Sequence, residues 1–155
     1  MIQSVVGFLG RALISLIFIF SAVQMILDWN GTELFLHQTL TDWVPVTLST
    51  PWLQAGVDWG LANTTLLLGV AVLFELIGGL LVFLGLSVRL GAFLLLCFLI
   101  PATLAFHHFW DFVEPQRQIE MVNFMKNVSI MGGLLFILAR GKCDPCCEPD
   151  QKKVP

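Results

Sequence analysis

The sequence predicts an all-α membrane protein, a four-span transmembrane helical bundle with a short amphipathic interfacial helix in its first long loop. Three observations carry this. Hydrophobic residues make up 57% of the chain and charged residues only 12%, about half the charged share of soluble domains. Mean hydropathy is +0.84. Four apolar stretches also approach the ~20 residues needed to cross a bilayer. The 155 residues suffice for one membrane domain, read as 1–140, followed by a short tail, 141–155. A net charge of −3 gives no basic footprint for nucleic acid.

The first span is residues 5–27. It is too long for the apolar region of a signal peptide, and no small-x-small site follows it, so it reads as a retained helix. The loop 28–60 has no Lys or Arg but carries Asp28, Glu33, Asp42 and Asp58. Within it, Leu36, Leu40 and Trp43 fall at helical spacing. They predict an amphipathic helix on the membrane surface, stopped before Pro45. Thr50-Pro51 then reads as an N-cap followed by a first-turn proline.

The second span is 63–86. A tight turn holding Arg89 leads into the third, 89–106, where Pro101 predicts a kink. The fourth is 123–139. Arg11, Arg89, Arg140, Lys142, Lys152 and Lys153 fall on one side. The loop 107–120 offers one Arg117 against Asp111, Glu114 and Glu120. That asymmetry predicts N-in, C-in. Trp29, Trp43, Trp52, Trp59 and Trp110 all fall on the outer side, as an interfacial belt would.

Helices in lipid associate through small residues. Gly78, Gly79 and Gly85 in the second span, and Gly132 and Gly133 in the fourth, are therefore expected at helix contacts. ELIGGLLVFL (75–84) and SIMGGLLFIL (129–138) share a GGLL core, which fits a duplicated helical hairpin.

Glu75 is the most informative residue. A carboxylate at that depth costs at least a few kcal/mol unless it is paired, protonated or wetted. One turn from Gly78 and Gly79, it should face the bundle interior. Counting ~1.5 Å per residue from the inner edge places Glu75 about 18 Å up, Lys126 about 20 Å and Asn127 about 18 Å. Asn123, His107 and Gln24 come out at about 24 to 28 Å. The expectation is a Glu75–Lys126 ion pair beneath an outward-opening cavity lined by His107, Asn123 and Gln24, with His107 titrating near neutral pH. A buried pair that only fixes helix register is the structural alternative. His108 reads as interfacial and His37 as solvated surface.

Other chemistry has little to stand on. The only helix-linked histidines are adjacent, which does not suit bis-histidine haem. No Walker loop, GxGxxG or GxSxG is present. Cys97 reads as a small core residue. Cys143, Cys146 and Cys147 form CDPCC, a redox or metal spacing that lacks a fourth zinc ligand. No metal is expected beyond this weak candidate.

GRALISLIFIFSAVQMILDW, FELIGGLLVFLGLSVRLGAF, TLAFHHFWDF and QIEMVNFMKNVSIMGGLLFIL together cover all four spans. On these stretches the chain resembles a DoxX-type integral membrane protein. The resemblance implies a four-helix bundle in a bacterial inner membrane. It also implies that Glu75, His107, Lys126 and Asn127 are site positions; Gln24 departs from the lysine often found in the first-span motif. It adds a redox leaning: a membrane subunit exchanging a lipophilic carrier such as quinone, served by a soluble or membrane redox partner. The alternative from the residues is a non-catalytic scaffold or small-solute permeation protein. Whether the chain is an enzyme stays open. Membrane lipid is an expected partner, and homo-oligomerisation through the glycine faces is plausible.

Overall fold

The computed structural model describes residues 2–141. Among them, six α-helices and one 3-10 turn form, with no strand. The helices are α1 (Ile2–Leu27), α2 (Trp29–Thr47), α3 (Pro51–Ala62), α4 (Thr64–Leu84), α5 (Val88–Phe106) and α6 (Gln116–Arg140). The 3-10 turn is Phe109–Asp111. Helices α1, α4, α5 and α6 hold segments long and apolar enough to cross a membrane. α1 packs on α4, α4 on α5, and α5 on α6. The bundle's two ends are the loop end, carrying α2, α3 and the 3-10 turn, and the turn end, carrying the α4–α5 turn.

The outward faces of the spans are apolar. Leu13, Phe20, Leu73 and Phe93 are all exposed. An apolar surface of that extent is stable only against lipid or another protein. The buried apolar core joins Phe18, Val82, Val88, Ala92, Leu95, Leu96, Leu99 and Leu134. Residues near the α4–α5 turn dominate it; nearer the loop end, buried apolar Ala22, Leu68 and Val72 share the interior with polar side chains.

Glycine sets how closely the helices approach. A Cβ on Gly78 would sit 3.0 Å from the Gly91 carbonyl oxygen, and one on Gly91 would sit 2.8 Å from the Gly78 carbonyl oxygen. α4 and α5 therefore touch backbone to backbone there. Gly79 faces α1, where a Cβ would meet Ile19 Cγ1 at 2.9 Å. Gly133 faces Ile14 of α1. Two of the expected contact glycines behave differently. Gly132 has open space around it. Gly85 caps α4, at φ 68°, donating to the Leu81 and Val82 carbonyls, as left-handed C-caps do. The two GGLL pairs are thus used differently: the second pair turns Gly133 toward α1 and leaves Gly132 outside.

The loop regions correct several expectations. α2 does not stop before Pro45 but runs through it to Thr47. α2 is anchored on the bundle instead: Trp43 Nε1 donates to the Ala105 carbonyl at 3.1 Å, and Phe35 stacks on Phe106. Asp28 caps α2, accepting from the Gly31 N–H. α3 does begin at Pro51, with Thr50 preceding it, but the Thr50 side chain makes no capping bond. α6 starts at Gln116, seven residues before the expected 123, and α4 ends at Leu84 rather than 86. α5 runs through Pro101. The tail cysteines Cys143, Cys146 and Cys147 lie outside the described residues.

Candidate functional site

Glu75 is buried, 2% exposed. It lies four residues before Gly79, so it shares the face of α4 that meets α1. The Ser21 hydroxyl of α1 bears on its carboxyl. Its Oε2 has no hydrogen-bond partner among the described residues.

The expected Glu75–Lys126 ion pair is not formed. Among the described residues the ion pair present is His107–Glu120. The reason is register. From Leu84, the last residue of α4, Glu75 is nine residues up, about 13 Å. From Arg140, the last of α6, Lys126 is fourteen residues up, about 21 Å. The two therefore differ in depth by about 8 Å. Lys126 is exposed on α6, with Nζ 3.3 Å from Asn123 Oδ1. Gln24 is exposed on α1.

Counted by helix rise, the remaining polar groups fall at successive levels between the loop end and the turn end. At the loop end, His107 Nδ1 lies 2.7 Å from Glu120 Oε2, and Gln116 Nε2 donates to Glu120 Oε1 at 2.7 Å. Asn123 also bears on Glu120, one turn along α6. Next, Asn127 Nδ2 donates to Thr103 Oγ1 at 3.1 Å, and Thr103 Oγ1 donates to the Leu99 carbonyl at 2.6 Å. Glu75 with Ser21 comes next. Toward the turn end, Ser15 is fully buried, its hydroxyl on the Arg11 carbonyl at 2.5 Å. Arg11 follows one turn on, its buried Nε unpartnered among the described residues.

Sequence reasoning missed Glu120, Thr103, Ser21 and Ser15 as members of this set. The signals were weak. A Ser or Thr inside a span ordinarily satisfies itself on a carbonyl one turn back, and Glu120 reads as a loop acid until α6 is seen to include it. His108 lies at the loop end beside Trp43 and Trp110. It is half-buried, with Nδ1 3.1 Å from the Ala105 carbonyl and its ring edge-on to Trp43. His37 is exposed, as expected, on a groove of about 400 Å³ with Asn30, Glu33 and Thr65. Cys97 is half-buried in α5. No group of three or more metal-ligating side chains gathers among the described residues.

A family model described as HR-like lesion-inducing matches residues 3–140. The chain belongs to this HR-like lesion-inducing family. The DoxX resemblance is corrected by that match, which takes in all four spans and every motif on which the resemblance stood. The chain is also 33% identical over 72 residues to the inner membrane protein YphA of Escherichia coli (strain K12), across 46% of this chain and 51% of the relative. The match thus spans about half of that relative's length. No solved structure matches. The expected location holds for this family member: four span-capable helices and an inner-membrane relative make it a multi-pass inner membrane protein.

Proposed function

We propose that this HR-like lesion-inducing family member is a non-catalytic permeation protein that moves protons through its bundle, with Glu75 as the carrier group. One observation carries the reading: a buried carboxyl with an oxygen unpartnered among the described residues, at a depth between the polar groups of the two ends. Ionisable residues inside membrane bundles mark ion pathways and proton relays and are functional-site hypotheses by default. The proton enters at the His107–Glu120 pair, passes the Asn127–Thr103 step and binds the Glu75 carboxylate. It leaves toward Ser15 and Arg11. Each transfer returns the previous group to its starting state, so one proton in gives one proton out. The steps between levels are longer than direct hydrogen bonds, and transient water fills them.

The test is a proteoliposome assay with a trapped pH dye and an imposed potassium diffusion potential. Wild-type vesicles should acidify faster than protein-free ones, and Glu75→Gln should abolish the difference. Wild-type flux equal to that of empty vesicles would end the reading.

The other reading is a membrane subunit that exchanges a lipophilic carrier such as quinone with a redox partner. Its remaining support is the hydrogen-bonding capacity of Glu75 and Asn127, since its redox leaning came from the corrected resemblance. Stoichiometric quinone in purified protein, lost in Glu75→Gln, would restore it.

A further inference from the structure

The Ala105 carbonyl, two residues before His107, takes two side-chain donors at once. Trp43 Nε1 of α2 donates to it at 3.1 Å, and His108 Nδ1 lies 3.1 Å from it. A carbonyl oxygen only accepts and has two lone pairs, so His108 Nδ1 carries a hydrogen and both acceptor positions are filled. The His108 and Trp43 rings meet edge-on, 5.3 Å between centroids. Phe35, two turns before Trp43 on α2, stacks on Phe106. α2 and His108 thus hold the two residues of α5 that lead into His107.

That carbonyl is open to side chains because α5 ends there. The last carbonyls of a helix have no N–H of their own. His107 N–H still closes on the Thr103 carbonyl at 3.0 Å, but Phe109 N–H turns to the His107 carbonyl at 2.9 Å. Left unfilled, the Ala105 carbonyl would draw the Phe109 N–H and carry α5 onward. The chain would then leave the 3-10 turn, whose Phe109 and Trp110 rest edge-on against Phe124 of α6. Phe124 lies one turn after Glu120. His107 is therefore fixed on both sides: by the Ala105 carbonyl before it, and by the turn docked beside Glu120 after it.

We propose that Trp43 and His108 are positioning residues: their shared hold on the Ala105 carbonyl ends α5 and sets His107 Nδ1 on Glu120 Oε2. Both act through His107 and neither carries the proton. The consequence for proton entry rests on the proposed function above, whereas the hold on His107 is read directly.

The test is nitrogen NMR of the full chain, isotope-labelled in its histidine rings, in proteoliposomes. Wild type should show a His107 Nδ1 signal displaced by the bond to Glu120, identified by its return to the free-imidazole position in Glu120→Ala. Trp43→Phe keeps a ring but no N–H, and should lose the displacement. His108→Asn should keep it, because the amide N–H of Asn stands where Nδ1–H stood. His108→Gln should lose it, because the amide of Gln reaches the Nε2 position instead. Retention of the displaced signal in Trp43→Phe or in His108→Gln would overturn the proposal. So would equal loss in His108→Asn and His108→Gln, which marks ring packing rather than the donated bond. If Trp43→Phe lacks the helical circular dichroism of wild type, the two His108 variants decide by the same criteria. Proton flux is read separately: its absence in wild type ends the proton-path reading and leaves the spectra to decide the positioning.

Discussion

Gly91→Ala should destabilise the bundle although it adds one methyl group. The new Cβ would lie 2.8 Å from the Gly78 carbonyl oxygen, 2.8 Å from Val82 Cγ2 and 3.0 Å from Leu81 Cβ. Two of those three neighbours are backbone or a Cβ, so no flexible side chain can swing aside. α4 and α5 must part by several tenths of an ångström along their closest approach. Overpacking of that kind costs about 1–3 kcal/mol. Gly78→Ala should cost a similar amount, because its Cβ would sit 2.9 Å from Leu95 Cγ and 3.0 Å from the Gly91 carbonyl oxygen. The double mutant should cost clearly less than the sum, since helices parted once need not part again. Gly132→Ala is the control. With open space around it, it should be neutral or slightly stabilising. The assay is reversible unfolding in mixed micelles, followed by circular dichroism. Gly91→Ala as stable as wild type, or a double mutant with fully additive cost, would refute a backbone-to-backbone contact at this point.

Trp43→Phe removes the bond to the Ala105 carbonyl while keeping most of the ring, and should cost about 0.5–1.5 kcal/mol; faster proteolysis within α2, without loss of the spans, would be the signature. Asn127→Leu breaks the bond to Thr103 and should cost only about 0.6 kcal/mol of stability, yet it should slow proton flux severely. Reporters fused to either terminus should both read as cytoplasmic, and opposite readings for the two ends would contradict the charge argument for N-in, C-in.

The spans were legible because each is a long apolar run, and lipid permits few other readings. Glu75's burial was legible too, since Gly78 and Gly79 one turn away already mark the face that meets neighbouring helices. Its partner was not. A one-turn error in a helix end shifts depth by ~5 Å, and here two ends moved: Gly85 closes α4 early, and α6 reaches Arg140. Those shifts separated Glu75 from Lys126. The His107–Glu120 pair was hidden for a different reason, because it closes across a loop whose path no periodicity encodes. The persistence of α2 through Pro45 reflects tertiary anchoring by Trp43 and Phe35, which overrides the local stop signal. The family was misread because the quoted motifs lie in apolar helices, where GGLL-like similarity is easily shared.

The most direct measurement compares proton flux in proteoliposomes carrying wild type, Glu75→Gln and Lys126→Met side by side. The account predicts flux in wild type, none above background in Glu75→Gln, and flux retained in Lys126→Met, because Lys126 is exposed and meets the polar groups only through Asn123. Equal flux in wild type and Glu75→Gln, or loss in Lys126→Met alone, would contradict it.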